Sequence, residues 1–192
     1  QYFESLEKAQ NPKTLVVACC DSRVDPAILL HCKPGDLFVI RNVAALVPAV
    51  TQASNPCSVM SAIEYGVKHL NVEHIVVMGH SHCGDIHGLM APESIAGETY
   101  IQDWVGIASP ALERLQAMTG DEDEKTRSRH CEEGAVLISL DNLLSYPWIA
   151  ERVKNGQLKL HALYYDLSEG NLYRFSPDSE DFELLFHTIE NP

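Results

Sequence analysis

Leu15-Val16-Val17-Ala18-Cys19-Cys20-Asp21-Ser22-Arg23 opens as an apolar run and closes on two thiols, a carboxylate and a guanidinium. The pattern returns in Ile75-Val76-Val77-Met78-Gly79-His80-Ser81-His82-Cys83, where the run closes on an imidazole and another thiol. Short unbroken apolar runs read as strands buried on both faces, which is what a parallel sheet requires. Leu37-Phe38-Val39-Ile40, ending at Arg41-Asn42 after the turn Lys33-Pro34-Gly35-Asp36, and Leu158–Asp166 are further strands of this kind. Helical spacing lies between them. One helix starts at Asp25-Pro26, with Pro at an early helical position. The segment Ser58–Leu70 puts Val59, Met60, Ile63, Val67 and Leu70 on one face. Two more helices are expected over about Asp103–Met118 and over Glu124–Leu144, the second with apolar Ala135, Leu137, Ile138, Leu140 and Leu144. Strands alternating with helices predict an α/β fold, a mostly parallel central β-sheet flanked by helices. Leu172–Phe175 follows the turn Glu169-Gly170-Asn171 and is expected to return as an antiparallel edge strand. Residues 1–11 are polar with Phe3, Leu6 and Ala9 at helical spacing, and read as an N-terminal arm.

The 192 residues fit one domain over 1–192, with neither repeat nor linker. A hydrophobic fraction of 45% and a charged fraction of 21% argue against disorder. Lys plus Arg is 14 against 27 for Asp plus Glu, a formal charge of −13, which disfavours nucleic acid and anionic membrane as partners. The acidic run Asp121-Glu122-Asp123-Glu124 reads as a solvated loop or helix start. Six cysteines, two of them adjacent, make no disulfide framework; a reducing, cytoplasmic compartment with metal-ligand thiolates fits them better. No stretch approaches the roughly 18 apolar residues of a membrane span, and there is no signal-peptide pattern. The chain starts at Gln1 rather than Met, which leaves room for a removed leader.

In sheets of this class the binding crevice lies beyond the carboxyl ends of strands, where both polar clusters fall. Cys19, His80 and Cys83 offer three ligands to a Zn²⁺: His-x-x-Cys supplies two donors, and Cys19 the third if its strand is adjacent. A structural zinc takes four protein ligands, so three leave a position open for chemistry. Asp21 and Arg23 follow Cys19 at i+2 and i+4, which in an extended segment places all three on one side. A carboxylate held by a guanidinium is fixed in orientation and kept ionised. Beside a metal it can accept a hydrogen bond from bound hydroxide, or become the fourth ligand if the Arg lets go. Cys20 competes with Cys19 for the ligand role, and the i+2, i+4 geometry favours Cys19. Cys32, Cys57 and Cys131 read as ordinary. Each feature has a plainer alternative: a core thiol as a small hydrophobe, a surface ion pair of little worth, Phe38 and Val43 as core packing.

Taken together, Cys19-x-Asp21-x-Arg23, His80-x-x-Cys83-Gly84 and the stretch Gly35–Ala44 resemble the motifs of β-class carbonic anhydrases. The resemblance extends over Ser139–Pro147 and Leu160–Asp166, and is closest to the plant-like branch. It implies one zinc per chain on Cys19, His80 and Cys83. It also implies reversible hydration of CO₂ to bicarbonate and a proton, by attack of zinc-bound hydroxide in a small apolar pocket. Asp21 and Arg23 would be catalytic, staying paired and leaving water on the zinc. Gln10, Phe38, Val43, Tyr65 and the backbone amide of Gly84 would line the pocket. A homodimer or dimer of dimers is implied, with the site near the interface and Gln10 reaching a substrate oxygen across it. The other branch carries a Trp three residues before the first Cys ligand, within a regulatory bicarbonate pocket; Val16 stands there, so no such pocket is expected.

Two departures stand out. The usual Cys-Gly-Gly is Cys83-Gly84-Asp85, and the usual Arg-Asn-x-Ala-Asn ends in Ala45. Neither is expected to touch a ligand, although Asp85 would alter the electrostatics. The N-terminal arm, which in the family embraces a partner subunit, is short here. Tyr65 and His69 at i, i+4, and His82 and His87 beside the motif, are candidates for carrying the proton away. Rival readings are a hydrolase of carbon disulfide or carbonyl sulfide on the same scaffold, and a non-catalytic zinc protein with a fourth protein ligand. A cysteine redox enzyme is disfavoured, because Cys-x-x-Cys is absent.

Overall fold

The two diagnostic runs pair with each other. In the computed structural model, which describes residues 2–118, 120 and 122–187, β1 (Thr14–Cys19) lies parallel to β3 (His74–His80), with Val16 opposite Val76 and Ala18 opposite Met78. β2 (Leu37–Asn42) flanks β1 and β4 (Lys159–Asp166) flanks β3, both parallel. β5 (Asn171–Ser176) and β6 (Asp181–His187) then add antiparallel pairings, giving the order β2-β1-β3-β4-β5-β6. The expected antiparallel strand is therefore followed by another. Phe182, Leu184 and Phe186 alternate in β6, but only Phe182 is buried, so its pattern is not matched by burial.

Alternation along β1 and β3 sends side chains to two cores. Val16, Ala18, Val76 and Met78 face one, with Ile86 and Leu89 of the helix Gly84–Met90. Leu15, Val17, Ile75 and Val77 face the other, with Ile63 and Val67 of the helix Ser58–Lys68. Both faces being covered explains why the central strands read as unbroken apolar runs. The helix expected over about 103–118 is broken into Thr99–Val105 and Ser109–Ala117, with a 3₁₀ turn at Gly106–Ala108 between them. Pro110 cannot donate to the preceding turn, which is why one continuous helix does not form. Glu124–Leu144 forms a single helix of 21 residues, capped by Asp123, whose carboxylate accepts from the Thr126 amide at 2.7 Å. That helix presses Val136 against Gly79 of β3, where a Cβ would overlap the Val136 methyl. Asp25 caps the short helix Pro26–Leu29 as its position predicts, and Tyr2–Lys8 and Pro147–Lys154 are also helical. Asp121 lies outside the described residues. Among the described residues, no helix is long and apolar enough to cross a membrane.

Candidate metal centre

Strand order reverses at β1: β2 lies on one side of it and β3 on the other, so a crevice opens beyond their carboxyl ends. Cys19 is the last residue of β1, His80 the last of β3, and Cys83 immediately precedes the Gly84–Met90 helix. All three are buried, and a donor atom of each lies within 4.8 Å of the others. Tetrahedral zinc with S and N donors sets ligand atoms about 3.5–3.8 Å apart, so a small contraction seats one ion. Cys20 is exposed and lies outside this cluster of three donors.

The donor set also fits a metal chemically. His80 Nδ1 lies 2.9 Å from the Ser81 carbonyl, which fixes the ring and leaves Nε2 buried with no hydrogen-bond partner. Such an orphan costs about 1–3 kcal/mol unless something binds it. A hydrogen bond from the Cys83 thiol draws the Cys19 thiol well below its usual range, and the same contact pushes Cys83 far up. The pair gives up one proton readily and the second reluctantly; a cation between the sulfurs would release the second.

Asp21 and Arg23 are not on an extended segment. The Val24 amide donates to the Asp21 carbonyl at 3.2 Å, closing a turn just after β1. The pairing survives because Arg23 folds back: its backbone N and Nε donate to Asp21 Oδ1, each at 2.9 Å, and Nη2 donates to Oδ2 at 2.6 Å. This two-pronged grip holds the Asp21 carboxyl well below the usual carboxylate range. Asp21 Oδ2 sits 3.9 Å from His80 Nε2, beside the metal position but outside hydrogen-bond reach. Arg23 Nη2 also donates to the His82 carbonyl at 3.1 Å, joining the two motifs.

Two residues that sequence reasoning passed over, Arg41 and Glu132, build the surroundings together with Asp85, which the sequence marks as a departure not expected to touch a ligand. Arg41 donates to the carbonyls of Cys19 (2.9 Å) and Asp21 (2.6 Å), knitting the loop after β1. Glu132 is buried; its Oε1 accepts from the Cys83 amide at 3.1 Å and its Oε2 from the Tyr164 hydroxyl at 2.6 Å. Burial raises its carboxyl above the usual range. In sequence, Glu132-Glu133 looks like an ordinary helix surface, so nothing signalled this role. Asp85 overturns an expectation. Its Oδ2 lies 3.7 Å from Cys19 Sγ and 3.8 Å from Cys83 Sγ, because the first turn of its helix folds the side chain back over the metal loop.

The expected pocket residues divide into two groups. Val43 directly follows Asn42, the register partner of Cys19, and Gly84 follows Cys83, so both stand beside the metal residues. Phe38 instead pairs with Leu15, which puts it about 13 Å back along the sheet at ~3.3 Å per residue. Tyr65 keeps company with Phe38, ring centroids 6.1 Å apart, and stacks on His69 at 5.2 Å. Gln10 is exposed, ahead of β1. A cavity of about 690 Å³ opens beside Cys83, Gly84 and Glu132, but it includes none of Phe38, Val43 or Tyr65 and is not the apolar slot.

A family model described as carbonic anhydrase matches residues 14–172. The chain is 40% identical over 179 residues to beta carbonic anhydrase 5, chloroplastic, of Arabidopsis thaliana, covering 93% of this chain and 59% of that protein. It spans between 59% and 66% of the length of the curated Arabidopsis relatives it matches. Among solved structures, the β-carbonic anhydrase CcaA superposes with a TM-score of 0.90 at 31% identity, over 95% of this chain and 88% of that one. A structure from a study of two tetrameric β-carbonic anhydrases of the filamentous ascomycete Sordaria macrospora gives 0.73 at 30% identity, over 96% and 85%.

Proposed function

The chain belongs to the β-carbonic anhydrase family, and on that premise we propose that it catalyses the reversible hydration of CO₂ to bicarbonate and a proton. Cys19, His80 and Cys83 would hold one Zn²⁺, and the observation that carries this is the buried, partnerless His80 Nε2 facing two thiols. Zinc bound by three protein ligands supplies a Lewis acid that lowers the pKa of water in its open position toward neutrality.

Asp21 orients the reacting water by accepting its hydrogen. With both oxygens gripped by Arg23, it stays an anionic acceptor and does not take the proton. Arg23 sets the direction of that carboxylate and ties it to the metal loop through the His82 carbonyl. Val43 gives CO₂ an apolar wall, and the Gly84 amide is placed to meet a substrate oxygen.

The remaining pocket residues are supplied by a second copy of the chain. Phe38 and Tyr65 are too far along the sheet to serve their own metal site. They lie toward the open β2 edge, where Tyr65 is 46% and Val39 39% exposed. Pairing two such edges brings Gln10, Phe38 and Tyr65 of one protomer to Val43 and Gly84 of its partner. The assembly is a homodimer or a dimer of dimers, each chain one catalytic unit over 1–192. The six free cysteines support a reducing compartment, the cytoplasm in this reading.

Stopped-flow CO₂ hydration on metal-analysed protein tests the proposal. Asp21→Asn is expected to keep its zinc and lose most activity; unchanged activity removes Asp21 from the mechanism. Zinc present without hydration would leave a non-catalytic metal protein. Sulfide release from CS₂ faster than hydration would reassign the substrate.

A further inference from the structure

At the amino ends of β3 and β4, away from the metal centre, two histidines face each other. His74 Nδ1 lies 3.0 Å from His161 Nε2, with ring centroids 5.2 Å apart and ring planes inclined at 41°. Strand alternation puts both rings on one side of the sheet. His74 is two residues before Val76 and His161 two before Leu163, and Val76 and Leu163 belong to the same core. The register sets His161 opposite Val76 and Lys159 opposite His74, so the rings meet across a diagonal between neighbouring strands. The backbone fixes that spacing: the His74 amide donates to the Lys13 carbonyl at 3.1 Å, and the Lys159 amide to the Glu73 carbonyl at 2.9 Å. Both histidines are partly buried, within reach of solvent but not free to swing.

We propose that His74 and His161 form a second metal site, a two-imidazole chelate for a divalent transition ion of the Ni²⁺ or Cu²⁺ type. An imidazole binds a metal through a nitrogen lone pair, and the two facing nitrogens can offer one each. Without metal, one of them carries the proton that the other accepts. On binding, that ring carries its proton on its far nitrogen instead, so both lone pairs turn to the ion and no net proton is lost. With metal–nitrogen bonds of about 2.0–2.1 Å, nitrogens at this separation subtend roughly 90–97° at the ion. That is the cis angle of square-planar or octahedral coordination, the geometry of Cu²⁺ and Ni²⁺ with N and O donors, with water filling the other positions. Burial, with His74, Arg174 and Lys159 close by, holds His161 below the usual histidine range and therefore neutral, the form that binds metal. Arg174 and Lys159 also oppose a cation, so one imidazole should not retain the ion alone; the pair must grip it together. The site lies six residues before His80 along β3, about 20 Å from the catalytic centre at ~3.3 Å per residue. It does not rest on the function proposed above.

The test titrates the Zn²⁺-loaded, dialysed protein with Ni²⁺, which its free cysteines do not reduce. Equilibrium dialysis should show one Ni²⁺ per chain beyond the zinc. His74→Gln and His161→Gln should each weaken it about a hundredfold, the scale of a second donor held at high effective concentration. Paramagnetic broadening in ¹⁵N-resolved imidazole spectra should centre on these two rings, with zinc content unchanged. Nickel held equally tightly by both single variants overturns the proposal, as does broadening centred on any other histidine. Nickel bound only in exchange for zinc also overturns it, since the ion would then sit on Cys19, His80 and Cys83. Neither ring broadening under excess Ni²⁺ would leave the contact as a structural hydrogen bond and nothing more. If a variant fails to fold, the broadening pattern of the unsubstituted protein decides. Absence of CO₂ hydration would sink the proposed function while the nickel measurements still judged the chelate.

Discussion

His80 reaches the crevice with Nδ1 already held by the Ser81 carbonyl, which leaves Nε2 buried, without a hydrogen-bond partner and open to a metal. Removing the metal should therefore destabilise the chain well beyond the loss of three contacts. Free metal at a thousandfold over its Kd stabilises by about 4 kcal/mol, which for a chain of this size corresponds to roughly 8–16 °C in Tm. Chelation followed by scanning calorimetry should show a fall of that order, reversed by added Zn²⁺. The Asp21–Arg23 pair behaves differently. Its folded-state pKa is depressed, so its contribution is present above the unfolded carboxylate range and is lost only as pH falls through the lower folded value. Asp21 should therefore stay ionised between pH 5 and 9, and in the proposed mechanism activity should rise across neutral pH through the reacting water; a flat profile from pH 6 to 9 would contradict it. Arg23 is half exposed, so Arg23→Ala should leave Tm almost unchanged while lowering kcat about tenfold or more. A large drop in Tm with activity preserved would reverse that assignment. The ligands and this pair were legible because they directly follow apolar runs. Arg41 and Glu132 were not, since their roles depend on contacts made across the sheet or from a distant helix; Asp85 stood out as a departure, but its contact with the two sulfurs did not.

At the scale of elements, β1 and β3 announced themselves because both of their faces are covered, which removes polar residues from the run. The broken helix over 99–117 and the strand β6 were harder to read. A proline can start a helix as readily as interrupt one, and β6 leaves Leu184, Leu185 and Phe186 partly exposed. Gly79 shows how tightly the elements must meet. It admits the Glu124–Leu144 helix against β3, one residue before His80, and a Cβ there would collide with Val136. Gly79→Ala should cost about 1–3 kcal/mol by overpacking and loosen the metal by moving His80. Gly79→Ala paired with Val136→Ala should recover much of the loss. Thermal melts and zinc titration read both effects, and no recovery in the double variant would place the strain elsewhere.

Across the whole molecule, the sheet separates what the proposed chemistry needs together. Cys19, His80, Cys83, Val43 and Gly84 gather at the carboxyl ends of the strands, while Phe38 and Tyr65 lie about 13 Å back. Sequence reading named these residues but could not place them, because register belongs to the folded sheet and not to the chain. The two-fold assembly proposed through the β2 edge would resolve the separation, since a twofold axis lets each protomer lend the residues it cannot use itself. Subunit complementation is the decisive consequence. Asp21→Asn disables the metal end of a site and Phe38→Ala disables the apolar end, so each homodimer should be nearly inactive. In a heterodimer one site collects both lesions and the other collects neither. Random mixing makes half the dimers heterodimers with one intact site of two, so about a quarter of parental activity should return. If Phe38 serves its own chain's metal instead, every site carries one lesion and mixing restores nothing. Val39→Lys, placing a charge on the pairing edge, should yield zinc-loaded monomers with little activity by sedimentation and stopped flow. Active monomers would show that one chain suffices and that the separation along the sheet has been misread.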